Sequence, residues 1–283
     1  MSHSTGAEAT DSNGVTAFNS DGFDLGSSGD FNVNNNAFVA WTWDGGTSTV
    51  SNTDGSVTSS VRANVSAGFS IVEFTNPSSG EWTFGHGLNA APEFFVMRPK
   101  GATSNWQIYH KGLTAISSGR KFIWLNSTNA EMGASNTYWT SDPDSSVCYA
   151  GTGMQPGSQQ VHIAYCFSPV DAYNSFGTYR GNGATDGPFV YTGHRGRFIM
   201  IKRYDANGDW LIYDTARDEV NTATKRLYPN LPNAEADASG QELDFLSNGF
   251  KIRGGSNANY NASGGTYIYA SFAEHPFKTS RAR

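Results

Sequence analysis

Short apolar segments separated by turn residues run along most of the chain. Each is bounded by Gly, Asn, Pro or Asp, and this is the pattern of short β-strands joined by tight turns. At this spacing such strands form an antiparallel sandwich or a jelly-roll-like architecture. We therefore predict strands at residues 69–75, 94–98, 106–110, 121–125, 161–167, 175–180, 197–202, 210–213, 225–228 and 266–272.

Three segments share a more detailed pattern, in which positions two residues apart are mostly large and apolar. These positions are Val39, Trp41 and Trp43 in AFVAWTWDG, Ile163, Tyr165 and Phe167 in VHIAYCFSP, and Ile268, Ala270 and Phe272 in TYIYASFAE. The residues between them are smaller or more polar. A period of two predicts that each segment buries one strand face, with the other face less apolar.

Two longer stretches repeat each other, and internal repeats are the first signal to look for in such a chain. FFVMRPKGATSNWQIY begins at Phe94, and FIMIKRYDANGDWLIY begins at Phe198. The offset of 104 residues pairs Trp106 with Trp210 and continues without a gap to the Asn-Ala-Glu sequences that end at 131 and 235. We therefore predict two tandem β units, at 68–170 and 171–283.

The first 50 residues match only the closing part of such a unit, because SDGFDL at 20–25 resembles SNGFKI at 247–252. We predict an N-terminal β-hairpin segment, followed by a Ser/Thr/Asn-rich linker at 51–67 that could hold one strand. A lone hairpin is marginal in water. Its apolar residues need a partner in the first unit, in a neighbouring subunit or in a missing upstream segment; they are Phe23, Phe31, Phe38, Val39, Trp41 and Trp43.

The composition agrees with an all-β chain. Aromatic residues make up 13 % of it, charged residues 16 %, and there are 32 glycines. The net charge of -6 is spread without a basic cluster, which argues against nucleic-acid binding because phosphates require grouped Lys or Arg. The one basic bias, Lys278, Arg281 and Arg283, is expected to be a solvated tail.

Two cysteines, Cys148 and Cys166, are too few for a disulfide framework. Buried free thiols are the favoured interpretation, and a bridge between the two stays open. No apolar run approaches the ~18 residues of a membrane-spanning helix. The first residues, MSHSTGAEATDSNG, lack the apolar core of a signal peptide. We expect no membrane partner.

Several motifs distributed over nearly the whole chain carry a family resemblance. They are FNSDGFDLG (18–26), FVAWTWDGG (38–46), GFSIVEFT (68–75), GHGLNAAPEFFVMRP (85–99), GPFVYTGHRGRFIMIKR (187–203), DWLIYDTARD (209–218) and TYIYASFAEHPFKTSRAR (266–283). Together they resemble a domain of unknown function found in tail-fibre-like and other virion proteins of marine bacteriophages, often beside lectin-like modules. The resemblance implies a structural protein of a phage particle and no known chemistry.

A weak metal motif lies at Asp205, Asn207 and Asp209, which occupy positions 1, 3 and 5 of a calcium loop. Trp210 stands where that loop needs glycine, and no glutamate follows at position 12. A turn closed by Asx caps is therefore favoured over a calcium site. The histidines show no zinc spacing, and we expect neither a metal nor another cofactor.

Paired carboxylates of the kind that cleave glycosidic bonds could come from Glu131 and Glu235 or from Asp214 and Asp218. Glu131 and Glu235 are equivalent in the two units, which favours a structural role that the fold needs twice. No serine-hydrolase, phosphate-loop or Cys–His motif is present. We therefore expect no catalytic residues.

Aromatic residues in turn-rich segments are the candidates for a contact surface. Trp106 and Trp210 occupy equivalent strands, so core packing is expected for them. Trp82 and Trp139 have no clear counterparts, and with Tyr138 they are the better candidates for an exposed binding surface.

The favoured function is a virion structural or adhesion protein, a tail-fibre, tail-tip or capsid-decorating component located in the phage particle. Its expected partners are other virion proteins, further copies of itself, with a trimer favoured, and a host surface glycan. Two alternatives stay open, a carbohydrate-binding (lectin-like) module and a polysaccharide-degrading enzyme.

Overall fold

The computed structural model describes residues 1–117, 119–133, 138–154, 159–237 and 239–274, and the basic residues predicted to form a solvated tail lie outside them. The predicted all-β fold is confirmed. Strands pair in several antiparallel sheets, and the helical elements of the described chain are two single 3₁₀ turns, Val65–Ala67 and Thr152–Met154. An N-terminal hairpin of β1 and β2 precedes the rest; these strands are Val15–Asn19 and Gly22–Leu25.

Sandwich 1 comprises residues 49–167 and contains β3 to β13. A seven-stranded sheet in the order β11-β8-β7-β13-β5-β4-β3 covers a two-stranded sheet of β6 and β12, and β9 pairs with β10 beside them. The strands are β3 Thr49–Asn52, β4 Ser59–Asn64, β5 Phe69–Thr75, β6 Trp82–Gly85, β7 Phe94–Pro99, β8 Gln107–His110, β9 Ala115–Ile116, β10 Gly119–Arg120, β11 Ile123–Trp124, β12 Val147–Ala150 and β13 Val161–Phe167.

Sandwich 2 comprises residues 174–273 and contains β14 to β22. A four-stranded sheet in the order β14-β22-β16-β17 covers a three-stranded sheet in the order β15-β21-β20, and β18 pairs with β19. The strands are β14 Asn174–Arg180, β15 Phe189–Tyr191, β16 Gly196–Arg203, β17 Trp210–Asp214, β18 Lys225–Arg226, β19 Ala236–Asp237, β20 Leu243–Leu246, β21 Gly249–Ile252 and β22 Thr266–Ala273.

Strand register shows that the two sandwiches are structural repeats. Phe94 lies opposite Phe167 between β7 and β13, and Phe198 lies opposite Phe272 between β16 and β22. In the next pair of strands, Phe94 faces His110 and Phe198 faces Asp214, positions that again differ by 104 residues. The equivalence inferred from the sequence therefore extends to the pairing of individual residues.

The two large sheets pack against each other, so that the molecule has four layers. One apolar cluster fills each sandwich between its large and small sheets. A third cluster lies between the two large sheets, where the Phe167 ring meets Phe272 of the other sandwich with centroids 5.2 Å apart. His110 links the same two sheets, because its Nε2 lies 3.0 Å from the Tyr269 carbonyl.

The prediction that strands 161–167 and 266–272 bury only one face is wrong. Ala164 and Cys166 belong to the core of sandwich 1, while Phe167 points into the layer between the large sheets. Tyr269 likewise faces the core of sandwich 2. Central strands of a four-layered protein are covered on both sides, so the second face is small or aromatic and not solvated.

The linker predicted at 51–67 is not a linker. Its first two residues, Ser51 and Asn52, belong to β3, and the whole of β4 lies within it. β4 pairs along β5, with Val61 opposite Val72. Polar residues dominate these strands because they lie at the edge of the sheet. Sandwich 1 therefore begins near residue 49.

The N-terminal segment forms a hairpin as predicted, but only at β1 and β2. Residues 38–43 form no strand, although they share the pattern of β13 and β22. Trp41 and Trp43 instead enter the layer between the large sheets, where the Trp43 ring packs edge-on against Phe272 with centroids 5.3 Å apart. Part of the segment thus packs within its own chain.

Candidate functional site

The N-terminal hairpin is the most exposed apolar part of the described chain. Phe18 near the end of β1 is 86 % exposed, and Phe31 and Phe38 beyond the hairpin are also exposed. Among the described strands, β1 and β2 pair only with each other. Large apolar side chains left exposed within one short segment make that segment a candidate contact surface. We call residues 14–38 the hairpin surface.

An apolar cavity of about 500 Å³ lies between the two large sheets. Met1 and Ser2 line one side of it, and the other walls are aromatic or aliphatic; they include Trp43, Phe94, Trp106, Phe198 and Met200. Few polar groups reach these walls, and one of them, the Ser2 hydroxyl, donates to the Pro229 carbonyl. The cavity therefore suits a mainly apolar group.

This cavity is a departure from the repeat. At the corresponding end of sandwich 2, the Trp210 indole Nε1–H donates to the carbonyl of Trp124, the last residue of β11, at 2.9 Å. The loop that follows β11, residues 125–131, seals the sheet edge, where the Gly208 backbone N–H donates to the Thr128 carbonyl at 2.9 Å. The equivalent Trp106 lines the cavity, and its indole Nε1–H has no hydrogen-bond partner in the described chain.

Two equivalent cations sit beside these tryptophans and hold different segments. Lys202 Nζ donates to the Thr128 carbonyl of the sealing loop at 3.2 Å. The Arg98 guanidinium lies 4.7 Å from the Trp106 ring centroid and donates to the Thr5 and Gly6 carbonyls. In sandwich 1 the first residues of the chain therefore take the place of a sealing loop.

A second space of about 480 Å³ adjoins the first, since Met1, Trp106 and Tyr165 line both. Its other walls are partly polar and include Lys100, which pairs with Glu8 at 3.3 Å. Contacts of this kind tie the first residues to the large sheet of sandwich 1.

The predicted exposure of the aromatic candidates is wrong for two of the three. Trp82 is 3 % exposed and Trp139 is 1 % exposed. The Trp139 indole Nε1–H donates to the Ile108 carbonyl at 3.1 Å, inside sandwich 1. Tyr138 is half-buried and stacks on Phe122 with centroids 3.7 Å apart. These residues do not form an exposed platform.

The calcium candidates are held by protein donors. Asp205 pairs with Arg203 at 2.8 Å, and Asn207 Oδ1 accepts from the Ala130 backbone N–H. Asp209 accepts from two asparagine side chains, those of Asn230 and Asn259. Each side chain thus has its own structural partner, but Asn207 and Asp209 bond residues far away in the sequence and do not cap their own turn as predicted. No group of three His, Cys, Asp or Glu residues suited to a metal occurs in the part of the chain that the structure describes.

The first acidic pair is also engaged in structural contacts. Glu131 accepts from the Thr114 backbone N–H at 2.9 Å and pairs with Lys121 at 3.2 Å. Glu235 pairs with Arg217 at 3.0 Å. Both carboxylates therefore fix turns of their own sandwich.

The second pair, Asp214 and Asp218, caps the loops that follow β17. Asp214 is buried and pairs with Arg217 at 2.6 Å. Asp218 accepts from the backbone N–H groups of Thr224 and Lys225. These carboxylates hold loops in place in the same way as the first pair.

Four buried histidines have structural surroundings. His86 bonds the Asp144 carbonyl, and His194 bonds the Ser271 hydroxyl. Burial lowers the pKa of His194 and of His110 to about 4, because the charged ring would be desolvated. These imidazoles are neutral at pH 7.

The cysteines Cys148 and Cys166 are buried and free, as favoured from the sequence. They lie side by side in the core of sandwich 1, and burial raises the pKa of the Cys148 thiol well above its usual value. The described residues contain no helix of the length and hydropathy that crossing a bilayer requires.

Sequence reasoning identified part of the hairpin surface, namely Phe31 and Phe38, but not Phe18, which lies between polar neighbours. It did not identify the cavity, because Trp106 and Trp210 look alike in the sequence.

Comparison with known proteins gives one family match. The model of DUF7483, a domain of unknown function, matches residues 1–276. No curated protein and no solved structure matches the chain significantly.

Proposed function

The chain belongs to the DUF7483 family of unknown function, and from this premise we propose that it is a structural component of a bacteriophage virion. In this role it is a tail-fibre, tail-tip or capsid-decorating protein that presents a rigid β scaffold. It joins copies of itself and neighbouring virion proteins, and through them contributes to contact with the host surface.

The observation that carries the proposal is the hairpin surface on a densely packed body. Phe18 is 86 % exposed at the end of a two-stranded hairpin that pairs with no other sheet. Burial of a phenylalanine side chain contributes about 1.5–3 kcal/mol. A hairpin of this kind gains its stability from a partner, and so favours assembly over an isolated monomer.

The body behind the hairpin supports a scaffold role. Three apolar clusters join four layers, and rings of both sandwiches interlock where Phe94 stacks on Phe176 with centroids 5.7 Å apart. Because this layer is continuous across both repeats, we expect the two sandwiches to behave as one rigid body.

The placement in a phage particle is supported by the motifs quoted above, which resemble those of marine phage virion proteins. A trimer is the proposed assembly. An oligomer would cover the hairpin surface and its unpaired strand edges.

The proposal is tested by measuring mass in solution by light scattering during size exclusion, over a range of protein concentrations. We expect the native chain to self-associate and Phe18→Ser to shift it towards the monomer. Val220→Ser is the matched control, because Val220 is 78 % exposed but lies in sandwich 2, away from the hairpin. A native chain that stays monomeric, or an oligomer that Phe18→Ser leaves intact, would contradict the proposal.

The two alternatives have lost the residues on which they were based. The carbohydrate-binding alternative relied on Trp82 and Trp139, which are buried. The polysaccharide-degrading alternative relied on Glu131 and Glu235, which hold turns. The structural role is therefore the better supported one.

A further inference from the structure

One side of sandwich 1 is closed by the hairpin of β3 and β4. β4 pairs along the outer edge of β5 in the large sheet, with Arg62 opposite Ile71. The loop between β3 and β4 reaches the small sheet, where the Val57 backbone N–H donates to the Thr83 carbonyl of β6 at 3.1 Å. This single hairpin thus covers the open edges of both sheets.

Sandwich 2 has no such hairpin among its described residues. β14, which corresponds to β5, is the edge strand of its sheet. Just beyond the paired strands β14 and β22, the Gly181 backbone N–H donates to the Gly265 carbonyl. The backbone N–H and C=O groups of the odd-numbered residues in β14 therefore point towards β22. The backbone groups of Thr178 and Arg180 therefore point away from the sheet, and both residues are exposed.

The small sheet of sandwich 2 is open on the same side. Val190 of β15 lies opposite Phe250, as Phe84 of β6 lies opposite Cys148. Phe189 therefore corresponds to Thr83, whose carbonyl accepts the hydrogen bond from Val57 in the loop between β3 and β4. In sandwich 2 that position is exposed, and Tyr191 next along the strand is 67 % exposed.

We propose that this open side of sandwich 2, formed by the outer edges of β14 and β15, binds the β1–β2 hairpin of a second copy of the chain by strand addition. The inference rests on the proposed function, because it names the partner of the hairpin surface. It makes the interface head-to-tail, with the N-terminal hairpin of one copy on the second sandwich of the next.

The dimensions of the hairpin fit this position. β1 and β2 have 5 and 4 residues, and the β3–β4 hairpin that fills the equivalent place in sandwich 1 has strands of 4 and 6. The free hairpin pairs with nothing else, so its outer strand edges are available.

Charge also favours this occupant. The first 61 residues contain no lysine or arginine, and Asp21 and Asp24 lie in the hairpin itself. Arg180 at the end of β14 is exposed and takes part in none of the salt bridges found in the described chain. An acidic hairpin beside this arginine gains a favourable interaction and avoids like-charge contact.

Cross-linking between copies tests the arrangement directly. We would prepare Asp21→Cys and Thr178→Cys as separate variants and treat each alone, and then a mixture, with a flexible bis-maleimide. Cys148 and Cys166 are buried, so the native chain is the unreactive control. We expect cross-linked dimers in the mixture only, because a head-to-tail contact never brings two identical positions together. Dimers of Asp21→Cys alone, or no dimers in the mixture, would overturn the inference.

Edge variants provide a second readout. Thr178→Pro removes one outward N–H, and Arg180→Glu reverses the charge. Each is expected to weaken association about tenfold, which corresponds to the loss of roughly one hydrogen bond or ion contact. Thr178→Ala keeps the backbone edge and is expected to bind like the native chain. Circular dichroism in the aromatic region checks that each variant is folded.

The outcomes separate this inference from the proposed function. If the native chain associates and Phe18→Ser prevents it, but neither edge variant weakens association, the hairpin has another partner and only this inference is wrong. If the native chain does not associate at all, the proposed function fails together with it.

Discussion

Lys202 offers a prediction that depends on the packing between the repeats. Its side chain is fully buried, and its Nζ donates to the carbonyls of Thr128 and Arg203 at 3.2 and 2.6 Å. Burial lowers the pKa of Lys202 to about 7, and the nearby carboxylate of Asp209 opposes this effect only in part. A neutral amine retains two N–H donors, so both bonds survive deprotonation.

The sign and size of the pH effect follow from this shift. The unfolded chain keeps the lysine proton up to a pKa near 10.4, whereas the folded chain releases it near pH 7. Between these values the unfolded state binds more protons, so the free energy of unfolding rises with pH. The slope is at most about 1.4 kcal/mol per pH unit, and the gain between pH 7 and 9 is about 2 kcal/mol.

The assay is urea denaturation followed by tryptophan fluorescence at several pH values from 7 to 9. Two variants remove the titration, Lys202→Met and Lys202→Arg, and the second carries the residue that sandwich 1 has at Arg98. The raised pKa of Cys148 acts in the opposite direction but is common to all three proteins, so it cancels in the comparison. Equal pH slopes for the native chain and both variants would refute the reasoning.

Two further predictions concern other buried polar groups. Burial lowers the pKa of His110 and His194 to about 4, so the unfolded state gains protons first as the pH falls below 6.5. The free energy of unfolding should therefore fall between pH 6.5 and 4 by at most about 3 kcal/mol per histidine. His194→Gln should reduce that loss in acid titrations monitored by circular dichroism. Trp210→Phe removes a hydrogen bond to the Trp124 carbonyl, whereas Trp106→Phe removes an indole N–H that has no partner in the described chain. Trp210→Phe should therefore lower the free energy of unfolding by about 1 kcal/mol more than Trp106→Phe, as measured by thermal unfolding. Equal losses would contradict the difference between the two tryptophans.

The sequence predicted the central strands well, because their apolar residues recur with a period of two and repeat 104 residues later. It missed edge strands such as β3 and β15, and it placed β4 in a linker that could hold one strand. Ser59–Asn64 contains a single large apolar residue, Val61, and an edge strand needs no more than this to pair. Strands pair through backbone hydrogen bonds, which do not require particular side chains, so an edge strand is hard to predict from its residue types.

The buried tryptophans show a second limit. Trp82 and Trp139 were expected at the surface because turn residues surround them and the other repeat has no counterpart. In the folded chain they meet Phe74 and Phe95, with ring centroids 5.0 and 4.7 Å apart. A large ring gains more from burial than local turn composition can indicate, and which sheet covers it depends on residues far away in the sequence.

The two repeats differ in complementary ways, and this difference favours a closed assembly. The chain carries one hairpin more than its own sheets use, at the N-terminal end, and sandwich 2 lacks the hairpin that sandwich 1 has. In the proposed head-to-tail contact, the surplus hairpin of one copy fills the deficit of the next, which is a heterologous contact. Such contacts close into rings when the rotation between copies allows it and grow into filaments when it does not. A closed trimer would have no free hairpin and no open sandwich edge, so its mass should stay constant as concentration rises, whereas a filament would continue to grow.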